Sequence, residues 1–200
     1  MRKTVIRSAG VVLAAVTFPV LFAAAKAPAN KLESQTFTVD SVHSMVMFKI
    51  RHMNVANFYG RFNELTGEFT LDAEDPSASK FEFTVNADSL DTANKNRDDH
   101  VKGNDLLNVA NHPQITFKST SVKSAGEDTY DVTGDLTFLG KTNSITVKIK
   151  KVGEGEGRGE VIAGLESKFE IKRSEYGMTQ MIGPLSDEVT LMVSVEGKKK

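Results

Sequence analysis

Short segments in which apolar and polar residues alternate run through most of this chain of 200 residues. Successive side chains of a β-strand point to opposite faces, so this alternation is typical of strands with one buried face. The clearest segments predict strands near 46–50, 81–86, 130–138, 145–150 and 189–195, and weaker ones predict strands at 57–63, 66–72, 114–120 and 162–171. The chain is therefore expected to be all-β.

Many consecutive antiparallel strands with one apolar face can pack as a two-sheet sandwich or close into a barrel. Closure removes the exposed edge strands, and a barrel of about eight strands has room for one small ligand. The strand phase places four aromatic rings on the inner face, namely Phe48, Phe83, Phe117 and Phe138. These rings either line an apolar cavity or fill a dry core, and the pattern alone is compatible with both.

One segment, residues 92–112, breaks the alternation and is compatible with a helix. Asn94 is a suitable N-cap, and the pattern predicts a short helical insert near 94–108 with Leu106 and Leu107 on its apolar face. We expect this insert to cover one end of the barrel, with Gly103 as a hinge and the cavity mouth beside 97–108. The glycine- and glutamate-rich run 153–160 predicts a solvated hairpin loop.

Composition excludes several kinds of site. Cysteine is absent, so the chain has no disulfide, cysteine nucleophile or cysteine-ligated metal. The formal net charge of -1 argues against a dedicated nucleic-acid-binding protein. The histidines have no spacing typical of metal ligands, so no metal site is expected; they are His43, His52, His100 and His112.

The first 25 residues have the pattern of a secretory signal peptide. Arg2, Lys3 and Arg7 precede an apolar stretch that ends in three alanines, Ala23–Ala25. Residues 1–25 are thus expected to be a leader cleaved before Lys26, with a permanent N-terminal anchor as the alternative. Residues 26–35 read as a polar linker to a domain over 36–197. The protein is then periplasmic or secreted, with no stable membrane span after cleavage.

Several ordered motifs carry a family resemblance. They are Val39–Ser44, Phe48–His52, Gly60–Phe62, Asp88–Thr92, Arg97–Val101, His112–Thr120, Val132–Thr137, Arg173–Met178 and Asp187–Val189. In this order and spacing they resemble the YceI-like family, also called lipid- or polyisoprenoid-binding YceI-like domains. Leu106-Leu107-Asn108 and Tyr176 stand where the family usually has Phe-Phe-Asp and Phe.

The resemblance implies a lipocalin-like antiparallel β-barrel whose elongated apolar cavity holds a polyisoprenoid or another long-chain lipid. The expected lipid-contacting residues are Val46, Phe48, Ile50, Phe83, Leu106, Leu107, Phe117, Phe138, Phe169 and Tyr176. Polar residues expected at the headgroup or at a barrel end are Arg51, His52, Arg97, His100 and Arg173. The lipid would be the partner, and no further cofactor is expected. The sequence does not specify the oligomeric state.

The cluster Arg97, Asp98, Asp99 and His100 could be read as acid–base machinery, but no nucleophile motif such as Gly-x-Ser-x-Gly accompanies it. A non-enzymatic binding protein is therefore expected. Two alternatives stay open at this point: a lipid-modifying enzyme in the same barrel, and a stress or structural protein whose barrel is filled by side chains.

Overall fold

The computed structural model describes residues 34–200, and β-strands dominate this part of the chain. In chain order the strands are β1 (Gln35–Val39), β2 (Met45–His52), β3 (Ala56–Phe62), β4 (Leu65–Leu71), β5 (Lys80–Asn86), β6 (Leu90–Asp91), β7 (Gln114–Gly126), β8 (Thr129–Phe138), β9 (Lys141–Gly157), β10 (Glu160–Lys172) and β11 (Leu185–Lys199). The expected signal peptide lies outside the described residues, as does the expected linker up to residue 33. The all-β prediction is confirmed.

Eight of these strands form a closed antiparallel barrel. Their order is β1-β4-β5-β7-β8-β9-β10-β11, and the pairing of β11 with β1 closes the ring. The barrel prediction is therefore confirmed, and the two-sheet sandwich is wrong. The last residues of β11 (Gly197–Lys199) pair with β1, whereas its earlier part pairs with β2. The additional strands β2, β3 and β6 thus build the wall at one end of the barrel.

The helical insert is shorter than the pattern predicts. The helix α1 spans Lys95–Lys102, and the Asn94 side chain caps it by accepting the Arg97 N–H at 3.0 Å. The helix ends where the Gly103 N–H donates to the carbonyl of His100. Glycine, asparagine and aspartate have low helix propensity, so 103–105 stop the helix. Leu106 and Leu107 consequently lie in turns, and the prediction that the helix extends to 108 is wrong.

The remaining connections include three 3₁₀ turns, at Pro76–Ala78, Ala87–Ser89 and Arg173–Tyr176. The glycine- and glutamate-rich run is mostly strand, because β9 continues to Gly157 and pairs there with Glu160 of β10. Only Arg158 and Gly159, both with positive φ, form the turn. The prediction of a hairpin loop over 153–160 is therefore wrong in length. Backbone pairing along this long hairpin outweighs the low strand propensity of glycine.

One end of the barrel is filled by packed side chains. Phe37 and Phe69 stack with ring centroids 5.0 Å apart, and Phe81 packs against Tyr130 at 6.3 Å. The position that a Cβ would take at Gly197 lies 2.5 Å from the Phe69 ring, so only glycine leaves space for this packing. We call this region the filled end. No helix in the described part of the chain has the length and apolar character needed to cross a bilayer.

Candidate functional site

The other half of the barrel contains a cavity with a volume of about 350 Å³, which we call the outer cavity. Its walls are almost entirely apolar and come from the strands around the barrel and from the segment that follows α1. The lining residues are Phe48, Ile50, His52, Phe58, Phe62, Leu90, Thr92, Arg97, Val101, Leu106, Leu107, Ile115, Leu136, Phe138, Ile171, Arg173, Met178, Leu185, Val189 and Leu191.

A second cavity of about 100 Å³, the inner cavity, lies deeper in the barrel. Its lining residues are Val46, Phe62, Leu65, Phe83, Val85, Ile115, Thr116, Phe117, Leu136, Val147, Ile149, Ser167, Phe169, Leu191 and Val193. The two cavities share four wall residues, namely Phe62, Ile115, Leu136 and Leu191. Along β2 the lining runs from His52 to Val46, which corresponds to about 20 Å of strand. The two cavities together are therefore elongated along the barrel.

Strand alternation places the aromatic rings in these walls. On β2, Phe48, Ile50 and His52 share the inner face and line the outer cavity. The Phe48 ring lies across Gly60, its partner on β3, where a Cβ would be 2.4 Å from the ring. The Phe117 ring lies in the same way across Gly134 on β8, where a Cβ would be 2.6 Å from the ring. Two glycines thus let phenylalanine rings lie flat against the wall and leave the lumen open.

The outer cavity reaches the surface between the end of β2 and the start of α1. His52 and Arg97 line the cavity and are also exposed, which identifies them as residues of the mouth. The Arg97 guanidinium lies over the Phe58 ring, 4.5 Å from its centroid, a geometry typical of a cation–π contact. The predicted position of the mouth beside the helical insert agrees with this arrangement, although Leu106 and Leu107 are buried wall residues rather than rim residues.

Thr92 holds Arg97 in place at the mouth. Arg97 donates from Nε to the Thr92 hydroxyl at 2.8 Å and from Nη2 to the Thr92 carbonyl at 2.6 Å. Asp98 accepts hydrogen bonds from the Thr92 amide and hydroxyl, which fixes the position of Thr92 in turn. Within the described residues Nη1 of Arg97 has no hydrogen-bond partner, so this nitrogen can donate to an anionic or carbonyl group in the mouth.

Arg173 is a lining residue of another kind, since it is only 1% exposed. Its Nε donates to the Ser186 carbonyl at 2.9 Å, and Nη1 donates to the carbonyls of Met178 and Gln180 at 3.1 and 2.6 Å. Burial lowers the pKa of this guanidinium, and the nearby Asp187 carboxylate opposes that shift. Most donors of Arg173 are therefore used to hold the loop over 177–184 and the start of β11 rather than to face the lumen.

Most of the residues proposed to contact lipid lie in the walls. Phe48, Ile50, Leu106, Leu107 and Phe138 line the outer cavity, and Val46, Phe83, Phe117 and Phe169 line the inner one. The strand phase predicted for the four phenylalanines is the observed one. Sequence reasoning missed several wall residues, of which Phe58, Phe62, Val189 and Leu191 lie on strands whose alternation could have identified them.

Three candidates lie outside the cavity lining. Tyr176 is buried behind Phe138, with ring centroids 5.6 Å apart, and burial raises the pKa of its phenol. Arg51 has the opposite phase from His52 on β2 and points away from the lumen. His100 is exposed on α1, where neighbouring residues point about 100° apart and Val101 faces the cavity.

A polar cluster occupies the surface beside the filled end. The Asp40 carboxylate lies 3.1 Å from Nδ1 of His43 and 3.3 Å from Nζ of Lys198, and His43 also lies 3.5 Å from Glu196. Hydrogen bonds from His43 and from the Val42 amide lower the pKa of Asp40 to about 2. Ligand atoms of Asp40, His43 and Glu196 lie within 4.8 Å of one another, but Lys198 already supplies the positive charge there.

Comparison with known proteins identifies relatives over most of the chain. A sequence model of the YceI-like domain matches residues 37–197. A UPF0312 protein of Pseudomonas aeruginosa is 42% identical over 156 residues, which is 78% of this chain and 81% of that one. A UPF0312 protein of Pectobacterium carotovorum is 40% identical over 165 residues, covering 82% and 85% of the two chains.

Solved structures share the fold. Burkholderia cenocepacia BcnA superposes with a TM-score of 0.72 at 25% identity, covering 79% of this chain and 98% of that one. The Campylobacter jejuni YceI protein gives a TM-score of 0.68 at 25% identity, with 75% and 90% covered. A polyisoprenoid-binding domain from Saccharophagus degradans gives 0.63 at 14% identity, with 82% and 98% covered.

Proposed function

Since the chain belongs to the YceI-like domain family, we propose that it is an exported, non-enzymatic binder of one long-chain lipid, a polyisoprenoid or a lipid of similar shape. The observation that supports this most directly is the pair of apolar cavities inside the barrel. The outer cavity, at about 350 Å³, lies within the range of about 300–1,000 Å³ that is usual for small-molecule sites. Its elongated continuation into the inner cavity suits a chain better than a compact ligand.

The distribution of polar groups supports a lipid with one polar end. The walls are apolar over most of their length, whereas His52, Thr92 and the free Nη1 of Arg97 lie together at the mouth. A guanidinium recognises phosphate and carboxylate groups through paired hydrogen bonds. The proposed ligand therefore lies with its chain in the barrel and its headgroup beside Arg97. The Saccharophagus domain of the same fold is described as polyisoprenoid-binding, which makes that class the first to test.

The alternatives receive less support from the same site. The alternative of a barrel filled by side chains applies only to the filled end, because the other half contains the two cavities. For an enzyme, a base would have to lie beside a nucleophile or a bound substrate. The polar residues of the mouth bond mainly to each other and to the backbone: Arg97 and Asp98 both bond to Thr92. We therefore propose binding without turnover.

Organic extraction of the purified protein followed by mass spectrometry tests this function. We expect one long-chain lipid per protein molecule. An extract without lipid, together with failure of the purified protein to take up a polyisoprenyl phosphate or a fatty acid, would contradict the proposal. Steady conversion of such a lipid to a product would contradict the non-enzymatic part.

The headgroup position is tested by Arg97→Gln, with His100→Gln as the control on the same helix. We expect Arg97→Gln to weaken binding of a polyisoprenyl phosphate by about tenfold or more, since hydrogen bonds to charged groups contribute about 1.5–3 kcal/mol. The uncharged polyisoprenol should bind both variants equally. Equal loss in Arg97→Gln and His100→Gln would show that the headgroup does not lie at Arg97.

Export is tested separately by N-terminal sequencing of protein expressed with its full leader. The proposal expects a mature chain beginning at Lys26 in the periplasm or medium. An exported fraction that retains Met1 would contradict cleavage and favour the anchor.

A further inference from the structure

We propose that the open end of the barrel docks on the surface of a lipid bilayer through four exposed apolar side chains, Met53, Val55, Met181 and Ile182. We call this set the apolar rim. Its members belong to two segments, the β2–β3 turn and the loop between the last 3₁₀ turn and β11. Docking would allow lipid to exchange between the bilayer and the cavity, and this role rests on the proposed function. The contact with the bilayer itself is tested independently of that function.

The two segments of the apolar rim lie against each other. The Met53 amide donates to the Pro184 carbonyl at 2.6 Å, and His52 pairs with Leu185 where β2 meets β11. The Leu185 amide in turn donates to the Met181 carbonyl at 2.9 Å. His52 and Leu185 also line the outer cavity. The apolar rim is therefore one surface, and it adjoins the opening of the cavity.

Neither the backbone conformation nor the contact with water favours methionine at positions 53 and 181. Met53 and Met181 have φ values of 51° and 58°, the left-handed region that disfavours residues other than glycine, asparagine and aspartate. Their side chains are nonetheless 56% and 41% exposed. A polar residue such as asparagine would suit both the backbone and the solvent better. Unfavourable backbone conformations combined with exposed apolar side chains are typical of a surface that binds another molecule or a membrane.

The charge of the two segments suits a membrane. Residues 51–59 and 176–184 contain no aspartate or glutamate, although the chain as a whole contains 26 acidic residues. Arg51 is the one lysine or arginine in these two ranges, and its guanidinium has no ion-pair partner within the described residues. A cationic group beside apolar side chains favours the anionic surface of a bilayer.

The position of the rim around an opening favours a bilayer over a second copy of the chain. A second copy seated on these residues would cover the mouth between His52 and Arg97. A bilayer instead presents the apolar phase from which a long-chain lipid, poorly soluble in water, has to be collected. Side chains that enter the boundary between headgroups and acyl chains would bring the mouth to the depth of the lipid headgroups.

The absence of tryptophan from the chain permits a direct test. Val55→Trp places a single fluorophore on the rim, just after the end of β2. Val42→Trp places one just before the start of β2, at the other end of that strand. The two valines are 84% and 82% exposed and are thus matched in accessibility. The probes are vesicles of phosphatidylcholine and phosphatidylglycerol in equal parts, and of phosphatidylcholine alone.

We expect vesicles to shift the emission of Val55→Trp to shorter wavelength, more strongly with phosphatidylglycerol, and brominated lipid to quench it. The emission of Val42→Trp should not change. A double substitution, Met53→Asn with Met181→Asn, should lower the vesicle partition coefficient about tenfold or more, because two apolar side chains are removed from the contact. Asparagine tolerates a positive φ, so this variant should keep its thermal stability, and misfolding would not explain the loss.

Three results would overturn the proposal: no shift for Val55→Trp, equal shifts for both tryptophans, or unchanged partition of the double methionine variant. A shift without vesicles that grows with protein concentration would assign the rim to a second copy and would also overturn it. Failure here leaves the binding function intact if the purified protein still contains one lipid. Conversely, a chain that docks on vesicles but yields no lipid on extraction, and takes up neither a polyisoprenyl phosphate nor a fatty acid, would refute the binding function alone.

Discussion

Replacing Leu191 by tryptophan tests whether the two cavities are usable space within the barrel. Leu191 lies on β11 opposite Phe48 and is a wall residue of both cavities. Its matched control is Leu165 on β10, which is 2% exposed and belongs to neither cavity lining. The same indole would therefore enter a cavity in one variant and a packed region in the other.

The two substitutions should differ in their effect on the free energy of unfolding. Enlarging a side chain in a close-packed interior costs about 1–3 kcal/mol, because neighbours leave their preferred rotamers. We expect Leu165→Trp to lose this amount or more. Leu191→Trp has about 350 Å³ of space beside it on one side and about 100 Å³ on the other, so its loss should stay below about 1 kcal/mol. The indole should at the same time block the passage between the cavities.

Urea unfolding followed by circular dichroism measures both free energies, and extraction with mass spectrometry measures the retained lipid. A difference of about 2 kcal/mol between the variants corresponds to about 4–8 °C in Tm for a domain of this size. Lipid content should fall in Leu191→Trp and persist in whatever fraction of Leu165→Trp is folded. Equal destabilisation by the two substitutions would refute the argument that the cavity end is less densely packed than the filled end.

Three further outcomes follow from individual contacts. The pKa of Asp40 is lowered from its ordinary value of 3.8 to about 2. The stability advantage of wild type over Asp40→Asn should therefore be complete above pH 3.8 and be lost as the pH falls toward 2. Urea unfolding at a series of pH values measures this advantage. Arg173→Met removes the donor from the carbonyls of Met178, Gln180 and Ser186 and should cost about 2 kcal/mol or more, with faster hydrogen exchange over 177–186. Unchanged exchange there would contradict the bracing role. Gly60→Ala should push the Phe48 ring into the outer cavity and reduce lipid content, whereas an exposed glycine such as Gly153 should tolerate alanine without loss of lipid.

Local sequence patterns were sufficient to predict an all-β fold and the buried face of its strands. An alternating pattern can be satisfied only by strands with one buried side, so Phe48, Phe83, Phe117 and Phe138 had to lie on the inner face once the strands formed. Asn94 likewise identified the start of α1, because its side chain supplies the acceptor that the first turn of a helix lacks. These signals are local: each depends on residues a few positions apart.

Which inward-facing residues fill the barrel and which leave it empty depends on contacts between segments that are distant in sequence. Phe37, Phe69, Phe48 and Phe117 are all inward phenylalanines, yet the first two stack in the filled end while the other two lie flat against the cavity wall. The difference comes from distant partners such as Gly134, which is close to Phe117 only after β7 and β8 have paired. The role of Arg173 was equally hidden, because its acceptors become neighbours only when the loop before β11 folds over the cavity. Packing and hydrogen bonding between remote segments are properties of the folded chain, and no local pattern records them.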